Sequence, residues 1–114
     1  MPAIDLTVLP TIPYAYSATT PSTVNKCQIV MVPANKHGIA VIIHNRDKAS
    51  KALRVSFDPA LEQDGNAPSI FFSIGEPLEL TLNHAAASGF QPASHIAFFS
   101  DSSSVNFEII FRPY

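Results

Sequence analysis

The chain has 114 residues, a formal charge of −2 and only 14% charged side chains, against about a quarter in an average domain. That length supports one core and one domain, residues 1–114, without the help of metals or disulfides. Seven scattered basic residues offer no positive face for nucleic acid. No apolar run approaches the roughly 20 residues of a membrane span.

In chain order, the first run is Ile4 to Leu9, a short apolar stretch that reads as a strand. The segment 10–26 differs from the rest. Pro10, Pro13 and Pro21 remove ladder donors and favour extended backbone, so it reads as an arm or long loop. Tyr14 and Tyr16 lie on it. Two readings stand for this pair: a partner contact, because tyrosine is enriched at interfaces, or rings folded back over one end of the domain.

Cys27 to Val32 reads as a second strand. Cys27, the only cysteine, sits in an apolar alternation and reads as a small buried hydrophobe. With Lys26 as its one basic neighbour, it lacks the electropositive setting of a reactive thiol. Ile39 to His44 is apolar on both faces and rich in β-branched residues, which predicts a central strand covered on each side. Asn45 to Lys51 then reads as a polar hairpin connection, and the basic cluster Arg46 to Arg54 as its solvated tip.

Leu53 to Asp58 alternates strictly. Leu53, Val55 and Phe57 point one way, and Arg54, Ser56 and Asp58 the other. Asp64-Gly65-Asn66 marks a turn, followed by a strand from Ile70 to Ile74 and, past a bend at Gly75-Glu76-Pro77, by the alternating run Leu78 to Asn83. Only 59–64 and 83–89 could hold a helical turn. His95 to Ser100 and Val105 to Arg112 close the series, with 101–104 short enough for a hairpin. In Phe98-Phe99 the two rings must face opposite ways. One is then core, and the other is left for a partner or a neighbouring loop; Phe71-Phe72 poses the same choice. The partner-facing candidates are therefore Tyr14, Tyr16, Phe71 and Phe99. Eight such short runs predict an all-β domain, a single antiparallel β-sandwich with a Pro-rich N-terminal arm.

Residues that could carry chemistry do not assemble into a motif. His37, His44, His84 and His95 lack the paired spacing of zinc ligands. Ser102, His95 and Asp101 lack a nucleophile elbow. Glu76, Glu79 and Glu108 are carboxylates by type only, and the latter two fall on outward faces. The four glycines form no phosphate loop, and without tryptophan a sugar platform would rest on Tyr14, Tyr16 and Tyr114. The expectation is a non-enzyme with no catalytic residue, cofactor or metal. The start, Met1 to Asp5, has no signal-peptide pattern, so synthesis in a reducing cytoplasm is expected.

One order of segments is more telling. Val41-Ile42-Ile43-His44-Asn45 is followed by a polar turn and Leu53 to Asp58, then by Gly75-Glu76-Pro77-Leu78-Glu79-Leu80, Ile96 to Ser100 and the run from Val105. Over residues 38–112 this resembles the small jelly-roll-like β-sandwich accessory proteins of tailed-phage virions, such as capsid decoration or cement proteins. The resemblance implies a structural protein of the virion, made in the host cytoplasm. It implies a homo-oligomer, often a trimer, that clamps a major capsid or other virion protein and reaches a neighbouring subunit with its arm. A different class of function, a glycan- or receptor-binding module of a phage tail or head fibre, predicts exposed aromatics clustered at one end of the domain.

Overall fold

The computed structural model describes residues 3–23, 26–33, 39–47, 51–56, 65–66, 71–74, 77–81, 95–100 and 104–113. Nine strands occur among them: β1 (Ile4–Asp5), β2 (Tyr14–Thr19), β3 (Gln28–Met31), β4 (Ile39–Asn45), β5 (Leu53–Ser56), β6 (Phe72–Ile74), β7 (Leu78–Thr81), β8 (His95–Phe99) and β9 (Asn106–Pro113). The described residues include no helix, and the two candidate helical turns lie outside them.

The strands form two sheets, one of five in the order β1-β3-β8-β5-β6 and one of four in the order β2-β9-β4-β7. All pairings are antiparallel except β1 with β3. The alternation read from the sequence has a physical outcome here. In β9, Phe107, Ile109 and Phe111 are buried, while Asn106, Glu108, Ile110 and Arg112 face outward. The inward residues of both sheets meet in one core: Val30, Leu53, Val55, Ile96 and Phe98 from the five-stranded sheet pack with Val41, Ile43, Phe107, Ile109 and Phe111 from the other. The Phe98 and Phe107 rings stack across the interlayer space, with centroids 4.1 Å apart and planes within 11°.

Three expectations need correction. The segment 10–26 is not all arm: residues 14–19 form β2, which pairs with β9 throughout. The prolines explain both the misreading and the outcome. Pro10, Pro13 and Pro21 lie outside the paired residues, so no ladder donor is lost, and between them the side chains alternate half-buried and exposed. Neither Asn45 to Lys51 nor 101–104 links paired neighbours as a hairpin would, because β4 and β5 belong to different sheets and so do β8 and β9; residues 48–50 and 101–103 themselves lie outside the described residues. A short polar connection fits a crossing between facing layers as well as it fits a hairpin. Finally, β4 is central, between β9 and β7, but its outer face is covered only in part: Ala40 is fully buried, Ile42 and His44 are half-buried, and the described residues form no third layer.

The β4–β5 crossing is built on Asn45, which is fully buried. Its side-chain amide donates to the Lys51 carbonyl at 2.8 Å and to the Ile74 carbonyl at 3.1 Å, and its carbonyl oxygen accepts from the Asp47 N–H at 2.9 Å. One side chain thereby ties the end of β4 to β6 in the opposite sheet. Asp47 in turn accepts the Asn106 N–H at 2.8 Å, holding the start of β9 against the same connection.

Candidate interaction surface

Three surfaces could meet another molecule. The first is the outer face of the four-stranded sheet. Its register places Ala15, Ile110, Ile42 and Glu79 in one row across all four strands. Ile110 and Ile42 are adjacent and half-buried. On either side the charges are paired: Arg112 donates to Glu79 at 2.6 Å, and Arg46 lies 3.6 Å from Glu108, which also accepts from the Ser17 hydroxyl at 3.4 Å. Exposed pairs of this kind add little stability. Their effect is to leave a face with an apolar centre and near-neutral flanks. The basic cluster expected at a hairpin tip is thus dispersed: Arg46 pairs with Glu108, Lys51 donates to the Ser104 carbonyl at 3.2 Å, and the Arg54 guanidinium sits 4.7 Å from the Phe71 ring centre.

The second surface is the outer face of the five-stranded sheet, where Cys27, Ile29, Ala97 and Phe99 form a smaller buried cluster. Their cover comes from their own chain. Phe71 meets Phe99 edge-to-face at 5.4 Å, and the Gly65 carbonyl accepts the Cys27 N–H at 3.3 Å. Lys26 bridges to Asn66, its ammonium 2.8 Å from the Asn66 side-chain oxygen. Phe99, 2% exposed, is therefore not a surface ring; of the two options left by Phe98-Phe99, the neighbouring loop takes it. Burial pushes the Cys27 thiol up, with Lys26 opposing more weakly. A thiol reagent at neutral pH should accordingly label Cys27 far more slowly in the folded chain than in urea. Equal rates, followed by absorbance of the released thiolate, would contradict the burial.

The third surface is the side where β1 and β2, edge strands of opposite sheets, lie near each other. An open groove of about 540 Å³ separates them, with Ile4 and Leu6 on one wall, Tyr16 and Ala18 on the other, and Gln28 between. Asp5 stands at its rim. Its carboxylate accepts both the hydroxyl and the N–H of Thr7, at 2.6 and 3.0 Å, and these bonds, the hydroxyl's first, hold it below the ordinary aspartate range. Beyond the groove, Val8 is 85% and Ile12 38% exposed, on the segment that joins β1 to β2. Tyr14 and Tyr16 are half-buried and pack against the main core. They form no outward aromatic platform, and they lie on the four-stranded sheet, whereas Phe99 belongs to β8 of the other sheet and Phe71, just before β6, packs on Phe99. The four partner-facing candidates thus do not share one surface.

No protein-family model, curated protein or solved structure matches the chain.

Among the described residues, no three His, Cys, Asp or Glu side chains come close enough to hold a metal ion. His44 lies opposite Glu108 in the β4–β9 register and His95 sits at the start of β8. His37, His84, Glu76, Asp101, Ser102 and Tyr114 lie outside the described residues. The residues that sequence reasoning passed over are Ile42 and Ile110. Their signal was present: in the doublets Ile42-Ile43 and Ile109-Ile110, strand alternation forces one isoleucine of each outward. That the two outward members would be neighbours depended on the β4–β9 register.

Proposed function

We propose that this chain is a non-enzymatic virion structural protein of the capsid decoration or cement kind, a single jelly roll that stabilises an assembled shell by binding its surface. The observation that carries this reading is the strand order. Setting β1 aside and counting from β2, one sheet runs first, eighth, third, sixth and the other second, seventh, fourth, fifth. That is the order in which a long antiparallel hairpin wraps into two Greek keys, an architecture used by viral capsid and lectin domains and by cupins.

Fold alone does not choose among those uses. The scarcity of charge, with an outer sheet face whose apolar centre is flanked by self-paired ions, favours burial against protein. In this reading the arm is the stretch before Tyr14, where Val8 and Ile12 are exposed and could reach a neighbouring subunit. The inward packing of Tyr14 and Tyr16 weighs against the sugar-binding alternative.

A ligand that binds only the assembled shell stabilises it by RT ln(1 + [L]/Kd) at each site. The test is co-sedimentation with capsids and tails purified from the virus whose genome carries the coding sequence, paired with thermal melting of the shell. Saturable binding and a melting temperature that rises with added protein are expected. A chain that binds no capsid or tail preparation would remove the proposal, and hits on a glycan array without shell binding would favour the sugar-binding module.

A further inference from the structure

We infer that the open edge of β2 is a self-pairing interface, on which β2 of a second copy of this chain docks antiparallel and joins the two four-stranded sheets into one of eight. The inference rests on the homo-oligomeric part of the reading above and names the surface responsible.

The hydrogen-bond phase of β2 comes first. Its register continues to Thr20 opposite Val105, and the Thr20 N–H donates to the Val105 carbonyl at 2.9 Å. In an antiparallel ladder, backbone groups alternate in direction from residue to residue. Ala18, Tyr16 and Tyr14 therefore turn their N–H and C=O toward β9, while Ala15, Ser17 and Thr19 turn theirs toward the open edge. Among the described residues nothing pairs with that edge, since β2 is the last strand of its sheet. Of the four edge strands β2 is the longest, at six residues against two, three and four for β1, β6 and β7.

Exposed edges are usually protected by lysine, by inward charge, by a bulge or by proline. Tyr14–Thr19 contains no charge and no proline. The flanking Pro13 and Pro21 end the pairing without blocking it, and so define its length.

The occupant follows from the ladder that a two-fold axis would create. Centred on Ser17, it pairs Ser17 with Ser17 of the other copy and Ala15 with Thr19, so all three edge-facing residues meet edge-facing residues. On the outer face these are small, uncharged side chains with no like-charge conflict. On the inner face the same register sets Tyr16 against Ala18, large against small, twice. A register centred on Tyr16 or Ala18 also sets edge-facing residues opposite one another, but it pairs only Ala15 with Ser17 or Ser17 with Thr19 and carries the third edge-facing residue onto Pro13 or Pro21, which has no N–H to give. The register centred on Ser17 is therefore the one in which the edge of β2 is most fully complementary to itself. The groove lies along this same edge, so a second copy would also cover the half-buried Ile4, Tyr16 and Ala18 that line it.

The test is sedimentation velocity over a concentration series on the full chain and on Ser17→Lys. Ser17 is exposed and its N–H points away from β9, so the substitution spares the fold, which urea denaturation checks. The wild type should dimerise, and Ser17→Lys should weaken association about tenfold or more, because it sets like charges directly opposite each other. Ser17→Cys gives an independent readout. Hydrogen-bonded antiparallel pairs lie about 5.5 Å apart at Cα, within disulfide reach, so mild oxidation should give a covalent dimer that the wild type, with Cys27 buried, does not form. A wild type that stays monomeric throughout overturns the inference. An oligomer indifferent to Ser17→Lys, with no cross-link from Ser17→Cys, also overturns it, while leaving self-association through another surface intact. Edge-paired dimers that bind no shell would sustain the inference and remove the decoration reading.

Discussion

Truncating Phe107 to alanine should cost about 3–5 kcal/mol, a large part of the roughly 5–15 kcal/mol that stabilises a domain of this size. Phe107 is fully buried in β9 and stacks on Phe98 of β8, so its ring is a contact between the two sheets and not only within one. Its removal forfeits the transfer energy of the ring and leaves a cavity. The neighbouring strands cannot close that cavity freely, because β9 is held by β2 on one side and β4 on the other. Phe107→Leu refills most of the volume and should cost about 1.5 kcal/mol or less. Urea denaturation of the two variants and the wild type measures both values. A loss below about 1 kcal/mol for the alanine would mean that the sheets do not depend on this contact.

Asn45→Asp should be severely destabilising although it barely alters the side chain's shape. The side chain keeps its shape and can still accept the Asp47 N–H. The group that donated to the Lys51 and Ile74 carbonyls, however, becomes an acceptor. The buried Ile74 carbonyl and the partly buried Lys51 carbonyl then face an oxygen, and a buried carboxylate carries its own desolvation penalty. The expected loss at neutral pH is on the order of 3 kcal/mol or more. Burial raises the folded-state pKa of the introduced carboxyl, so stability is lost as pH rises through that value. The deficit should therefore shrink in acid, where the protonated carboxyl can donate one of the missing bonds. Asn45→Ala, which removes both donors and adds no charge, should lose a comparable amount at neutral pH with no such recovery. Denaturation midpoints at neutral and mildly acidic pH separate the two. Equal deficits for Asn45→Asp at both pH values would show that the amide's donor role is not what holds the crossing.

Both predictions depend on contacts between the two sheets, and this marks the boundary of what could be read beforehand. The strands themselves were legible. Alternation at Leu53 to Ser56 and along β9 placed Leu53, Val55, Phe107, Ile109 and Phe111 on the buried side, because a period of two admits only one apolar face. Cys27 is buried as its apolar neighbours suggested, but on the outer face of its sheet, under cover that comes from Gly65, Asn66 and Phe71 and not from alternation. The strand β2 was not legible, since a window spanning three prolines hides a short proline-free run between them. Nor was the fate of Phe99. Alternation puts it opposite Phe98 but does not say that Phe71 will lie over it.

The candidate surfaces divide along the same line. Two isoleucine doublets announced outward apolar residues, and the uncharged run Tyr14–Thr19 was visible as composition. Neither could be called a surface until pairing was known: Ser17 and Glu108, 91 positions apart, are cross-strand neighbours only because β2 and β9 adjoin. Local sterics and hydrophobic periodicity act within a few residues, so the linear chain by itself determined most of the strands, though not β2, and the buried side of those that alternate, such as β5 and β9. Strand order, the crossing at Asn45 and the unpaired edge of β2 were decided only by the tertiary structure. They arise from the joint requirement that every inner ladder be hydrogen-bonded while one shared core is closed.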